Sequence, residues 1–139
     1  MIEYAVRRQL LDNAAVAALV SDRIYPLMIP QGEPLPAITY SVVATDEDNQ
    51  EGDADTLARA RVQLDCWATT YKQANDLARA VRLALPTTTG AIGSGTNRVE
   101  GVSIIPIETG RQFYEPDTRY YRVMLEFYVW FPTTVNMRE

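Results

Sequence analysis

Two stretches of strict two-residue alternation constrain this chain more than anything else in it. Between Arg119 and Phe131, one set of alternate positions holds Tyr121, Val123, Leu125, Phe127, Val129 and Phe131. The other set holds Tyr120, Arg122, Met124, Glu126, Tyr128 and Trp130. Between about Ala58 and Ala68, the residues Ala60, Val62, Leu64, Cys66 and Ala68 alternate with Arg59, Arg61, Gln63, Asp65 and Trp67. Successive side chains on a strand point to opposite faces, so each stretch reads as a strand with one apolar and one polar, aromatic-rich face. The apolar faces need a covering layer, and the rest of the chain supplies it as helices.

Ile2, Val6 and Leu10 recur at helical spacing and predict an N-terminal helix. Asp12 is placed to cap a second short helix over Ala14–Val20, with Val16, Leu19 and Val20 on one face. Arg23–Pro26 leaves it in extended form, and Pro26, Pro30, Pro34 and Pro36 predict a stiff extended connector. A first strand follows, with Ile38, Tyr40 and Val42 on one side and Thr39 and Ser41 on the other. After the Ala58–Ala68 strand, Thr70 and Gln73 have the spacing of a capping box. That helix buries Ala74, Leu77, Ala78, Val81 and Leu85, and Pro86 stops it. Thr87–Gly95 reads as a small-residue loop. A third strand covers about Val99–Thr109, where Pro106 marks an edge or a bulge. A turn around Tyr114–Asp117 leads to the last strand. The expected architecture is one α+β domain over residues 1–139. It has a mainly antiparallel four-stranded sheet with helices packed on one face, in the order α-α-β-β-α-β-β.

Chemistry is conspicuous mainly by what is missing. There is no histidine, which removes the commonest general base and metal ligand. The single cysteine, Cys66, has no partner for an internal disulfide and lies on the apolar side of its strand, so it reads as a core residue. Thr45–Asp55 holds Asp46, Glu47, Asp48, Glu51, Asp53 and Asp55 with no basic residue, and is expected to be an exposed loop. Read as a calcium loop from Asp46, it places Glu51 where a glycine belongs and Leu57 where the bidentate glutamate belongs. Gly90, Gly93 and Gly95 precede a strand, and no Gly-Lys-Ser/Thr follows them, which excludes a phosphate loop of that type. No cofactor, metal or catalytic site is expected. The net charge of -5 argues against tight DNA binding. No apolar run reaches the roughly 18 residues of a membrane span. The N-terminus lacks the basic and apolar segments of a secretory signal, so the chain is expected to start in a cytoplasm.

The faces left over after the core is filled carry Arg59, Arg61, Trp67, Tyr120, Arg122, Met124, Tyr128 and Trp130. Tyr, Trp, Met and Arg are enriched in protein–protein interfaces, and these residues form the candidate oligomer contact. The alternative is that Trp67 and Trp130 fold over the sheet ends as satellite core.

A run of segments carries a family resemblance. An N-terminal helix leads to Arg23-Ile24-Tyr25-Pro26, then Pro30-Gln31 and Leu35-Pro36-Ala37-Ile38-Thr39-Tyr40. Arg61-Val62-Gln63-Leu64-Asp65-Cys66-Trp67-Ala68 enters a helix with Ala74 and Leu77-Ala78, and the chain closes on Tyr121-Arg122-Val123 and Phe127-Tyr128-Val129-Trp130. In this order the chain resembles the tail-completion, or tail-terminator, proteins of long-tailed bacteriophages. The resemblance implies a structural virion protein at the head-proximal end of the tail, assembled in the host cytoplasm. It implies a homo-oligomeric ring, typically hexameric, that caps the tail tube, stops its elongation and meets the head connector, with DNA passing through its lumen. The acidic residues Asp46, Glu47, Asp48, Glu51, Asp53 and Asp55 then have two possible uses: rimming that lumen, or docking on a basic partner surface. A head-completion or minor tail protein is the nearest alternative. A ligand-binding α+β module that dimerises through its sheet and a small carboxylate hydrolase belong to other classes.

Overall fold

The computed structural model describes residues 2–48, 55–85 and 89–134. Helices α1 (Ile2–Leu11) and α2 (Ala14–Val20) are followed by a short strand β1 (Ile24–Pro26) and two long strands, β2 (Ala37–Asp48) and β3 (Asp55–Ala68). Helix α3 (Tyr71–Ala84) leads to a short strand β4 (Thr89–Ile92), a 3-10 turn at Gly95–Asn97, and a second long pair, β5 (Val99–Glu115) and β6 (Tyr120–Thr134). All six strands form one sheet in the order β1-β2-β3-β6-β5-β4. Strand β1 runs parallel to β2, with Ile24 opposite Ile38, and the other neighbours are antiparallel.

The expected four-stranded, mainly antiparallel sheet is therefore corrected to a mixed six-stranded one, in the order α-α-β-β-β-α-β-β-β. The two missed strands are the short ones. Three residues of β1 are too few for alternation to register. Strand β4 contains Gly90 and Ala91, types depleted in strands, and its apolar anchor is the buried Ile92. The small-residue loop thus includes an edge strand. The acidic loop is also shorter than expected. Pairing of β2 with β3 continues to Asp48 opposite Leu57, because ladder hydrogen bonds use the backbone and charged side chains are tolerated on an edge. Residues 49–54, including Glu51 and Asp53, lie outside the described residues. The proline-rich connector turns rather than extends, with Leu27 and Gly32 at φ of 69° and 90°.

The core forms on one face. Val6 and Leu10 of α1, Val16 and Val20 of α2, and Leu77 and Val81 of α3 join Ile38, Val62, Leu64, Val123, Leu125 and Val129 in one apolar cluster. Leu19, expected beside Val16 and Val20, is instead 38% exposed. The α2 cap is Asn13 rather than Asp12: its side chain accepts the Val16 amide at 3.0 Å. In α3 the predicted capping box is half formed. Thr70 Oγ1 accepts the Gln73 amide at 3.2 Å, while Gln73 Oε1 takes a bond from the Thr69 hydroxyl at 3.4 Å. Gln9 ties α1 to the short strand's end: its Oε1 accepts the Gly93 amide at 3.0 Å. Gly93 has φ +78°, and a Cβ there would collide with the Asn97 carbonyl, so this glycine makes a packed turn.

Candidate assembly interface

The register of the sheet assembles the second face row by row. Trp67 of β3 lies opposite Arg122 of β6, which lies opposite Phe113 of β5. Further along the strands come Asp65, Met124 and Arg111, then Gln63, Glu126 and Glu108. Beyond these lie Arg61, Tyr128 and Ile105, then Arg59, Trp130 and Ser103. All eight residues expected at the interface belong to this face, since positions of one parity share a side of the sheet.

The face divides into two chemically different halves. Around Arg122 the side chains satisfy one another. Its Nη1 reaches Asp65 Oδ1 at 3.0 Å and its Nε reaches Glu115 Oε2 at 3.1 Å. The guanidinium carbon stands 4.1 Å from the Phe113 ring centre and 5.4 Å from that of Trp67. Trp67 Nε1 donates to Thr39 Oγ1 at 3.0 Å, and Gln63 Nε2 donates to Asp65 Oδ2 at 2.9 Å. Arg61 makes a two-pronged pair with Glu126, at 2.8 and 3.2 Å. That hydrogen bond first, and the carboxylate's charge second, raise the Arg61 pKa. Asp65 and Glu126 are only 9% and 8% exposed although they lie on the face opposite the helices. Asp65 is paired with Arg122 and Gln63, and Glu126 with Arg61, on that face.

Toward the end of the sheet where Asp55 pairs with Thr134, the character changes. Arg59 lies over Tyr128 at 4.3 Å and near Trp130 at 5.4 Å from the ring centres. Beside them stand Ile105, opposite Tyr128, and Leu57, opposite Pro132. Ile105 is 49% exposed and Leu57 43%. This half presents rings and aliphatic side chains outward, the composition of an interface core. Tyr120, half-buried, sits at the far end, opposite Glu115.

Sequence reasoning missed the β5 contribution of Ile105, Arg111 and Phe113. Two register shifts, between Pro106 and Glu108 and between Thr109 and Arg111, break the alternation that would have revealed it. Pro106 was the available signal. Of the acidic residues, Asp46, Glu47 and Asp48 are on β2 and Asp55 opens β3. Among the described residues no group of three or more acidic or thiol side chains is placed to hold a metal ion. Cys66 is fully buried, and desolvation pushes its thiol pKa up. A cleft of about 260 Å³ lies between α1 and the β1–β2 connector, lined by Glu3, Tyr4, Leu27, Tyr40 and Val42 among others. It brings a single carboxylate to an apolar wall, which is not the pair that hydrolytic acid–base chemistry needs.

The model of a protein family described as Tail completion protein gp17 matches residues 4–131. No curated protein matches the sequence significantly. Among solved structures, a chain from the virion of a native gene transfer agent (GTA) particle shares the fold. The TM-score is 0.65 at 19% identity, over 92% of this chain and 92% of that one.

Proposed function

This chain belongs to the Tail completion protein gp17 family, and from that premise we propose that it closes into a ring on the head-proximal end of a tail tube. A structural part in head–tail assembly of a phage-like virion comes with the family. The finer reading is that the ring, of six copies as the sequence resemblance implies, stops tube elongation and offers its free side to the head. Genome DNA passes through the lumen without specific binding. The chain acts through surfaces and carries out no catalysis.

The observation that carries this reading is the Tyr128–Trp130 half of the sheet's second face. Rings and aliphatic side chains stand outward there, next to a half whose charges are already satisfied within the chain. Such a patch is stabilised when another protein surface removes it from water. Negative-stain microscopy of growing tail tubes, with and without the protein, tests the reading. Capped tubes of uniform length are expected with the wild type, and uncapped, overgrown tubes with a folded Trp130→Ala variant. Identical length distributions with and without the protein would overturn it.

A further inference from the structure

We propose that, in this ring, Tyr114 of each copy fills the cleft beside Tyr40 and Val42 of the next, where the two sheets meet edge to edge. The inference rests on the ring reading and specifies the joint that closes it. Two stretches of strand have open backbone edges. Strand β1 pairs with β2 only as far as Tyr40. Leu27 then donates its amide to the Tyr40 carbonyl at 2.9 Å, and its φ of 69° turns the connector away. From Ser41 to Thr45, β2 has no strand on its outer side among the described residues. Strand β4 pairs with β5 only as far as Ser103, and Arg82 Nη1 donates to the Thr109 carbonyl at 2.8 Å. From Arg111 to Glu115, β5 has no strand on its outer side among the described residues. Open edges of this kind are templates for another strand.

The two edges lie on opposite sides of the sheet, and β2 runs antiparallel to β5 across it. A second copy in the same orientation therefore brings its Arg111–Glu115 antiparallel to Ser41–Thr45, with both helix layers on one side. Neither short strand blocks this pairing. Strand β1 lies beside Ile38–Tyr40, level with the turn that follows Glu115 of the second copy, and that copy's β4 lies past the end of β2. The contact is head-to-tail, the kind that closes into rings. Within one copy, Tyr114 is level with Tyr121 and Ala68, and Val42 with Val62, so six residues separate these rows along β3. Joining them staggers neighbouring copies by ~20 Å over four strand spacings of ~19 Å in all. The strands then tilt by about 45°, at the upper end of the roughly 35–45° found where a sheet closes on itself.

Side-chain chemistry matches on the two edges. Tyr114 lies opposite Tyr121, which packs against the core, so it stands on the helix side of the sheet, as Tyr40 and Val42 do. Its ring centre is 5.0 Å from that of Tyr121, and it is 50% exposed. The cleft of about 260 Å³ offers Tyr4, Leu27, Tyr40 and Val42 as an apolar wall and Glu3 as one carboxylate. A buried tyrosine needs both, a wall for its ring and a partner for its hydroxyl. Tyr4 and Leu27 are themselves exposed, and a ring entering the cleft removes them from water. The joint leaves the Tyr128–Trp130 half of the other face free for the tube.

Cross-linking on capped tail tubes tests the joint. Thr45 and Gln112 are exposed, lie on the helix side opposite Ala60 and Val123, and face each other in the proposed pairing. A double variant, Thr45→Cys with Gln112→Cys, treated with a short bis-maleimide, is expected to give a ladder of covalent multimers. Either single variant is expected to give none, because the native Cys66 is buried and does not react. Tyr114→Ala is expected to lower tube capping at a fixed concentration by about tenfold, and Tyr114→Phe, which loses only the hydroxyl, by less. Urea unfolding of each variant checks that the fold is intact. If capped tubes give no ladder, if a single-cysteine variant links to itself, or if Tyr114→Ala caps like the wild type, this joint is wrong and the ring reading stands. If the wild type itself never caps tubes, the ring reading falls and this inference with it.

Discussion

Arg122→Met isolates the half of the sheet face that is proposed to be structural. The substitution keeps most of the aliphatic length and removes the guanidinium. Asp65, 9% exposed, then loses the partner of its Oδ1 at 3.0 Å, while its Oδ2 keeps Gln63 at 2.9 Å. Breaking a fully buried pair costs about 3–5 kcal/mol. Here the Arg122 and Asp65 side chains retain 19% and 13% exposure. One amide donor also remains, so about 2 kcal/mol is the appropriate share. Glu115, with a side chain 36% exposed, adds little when its bond is lost. Loss of the cation stacked over Phe113 adds about 0.5–1 kcal/mol. The expected total is about 2–3 kcal/mol, read as a lower urea midpoint with unchanged slope by far-ultraviolet circular dichroism. Asp65→Asn in the same background should recover about 1 kcal/mol of that loss, because the stranded charge is gone. A loss below about 0.5 kcal/mol, or strictly additive losses in the double variant, would refute the view that this half is a self-satisfied lattice.

Other positions give independent checks. Leu77→Ala removes a fully buried side chain between α3 and the sheet and should cost about 2–5 kcal/mol in the same unfolding assay. Asn13→Ala should cost about 1 kcal/mol, because the Val16 amide loses its acceptor. Cys66 should resist iodoacetamide in the folded protein and react at once in urea, since burial raises its thiol pKa. The sign for stability follows from that direction. The folded thiol holds its proton above the pH at which the unfolded one, near about 8.5, lets go. The contribution is full below that pH, and stability falls by up to about 1.4 kcal/mol per pH unit above it. A urea midpoint in Cys66→Ala that falls as steeply above pH 8.5 as the wild type's would remove Cys66 as the cause.

Legibility in the sequence followed the length and regularity of each element. Strands β3 and β6 are legible over about Ala58–Ala68 and up to Phe131, because their pairing keeps one register without a bulge, while Asp55–Leu57 and Pro132–Thr134 extend them past the alternation. The α3 stripe was equally clear, and Ala74, Leu77, Ala78, Val81 and Leu85 are all buried. Strand β5 was read only to Thr109 although it runs to Glu115, since its two bulges reset the alternation. Strands β1 and β4 are defined by neighbours rather than by pattern, and no local signal distinguishes them from coil. The same limit applies to the surface. The eight expected interface residues do share a face, but its division into an ion-paired half around Arg122 and an aromatic and aliphatic half around Trp130 depends on cross-strand partners. Arg61 finds Glu126 and Arg122 finds Asp65 only through a register no single segment contains.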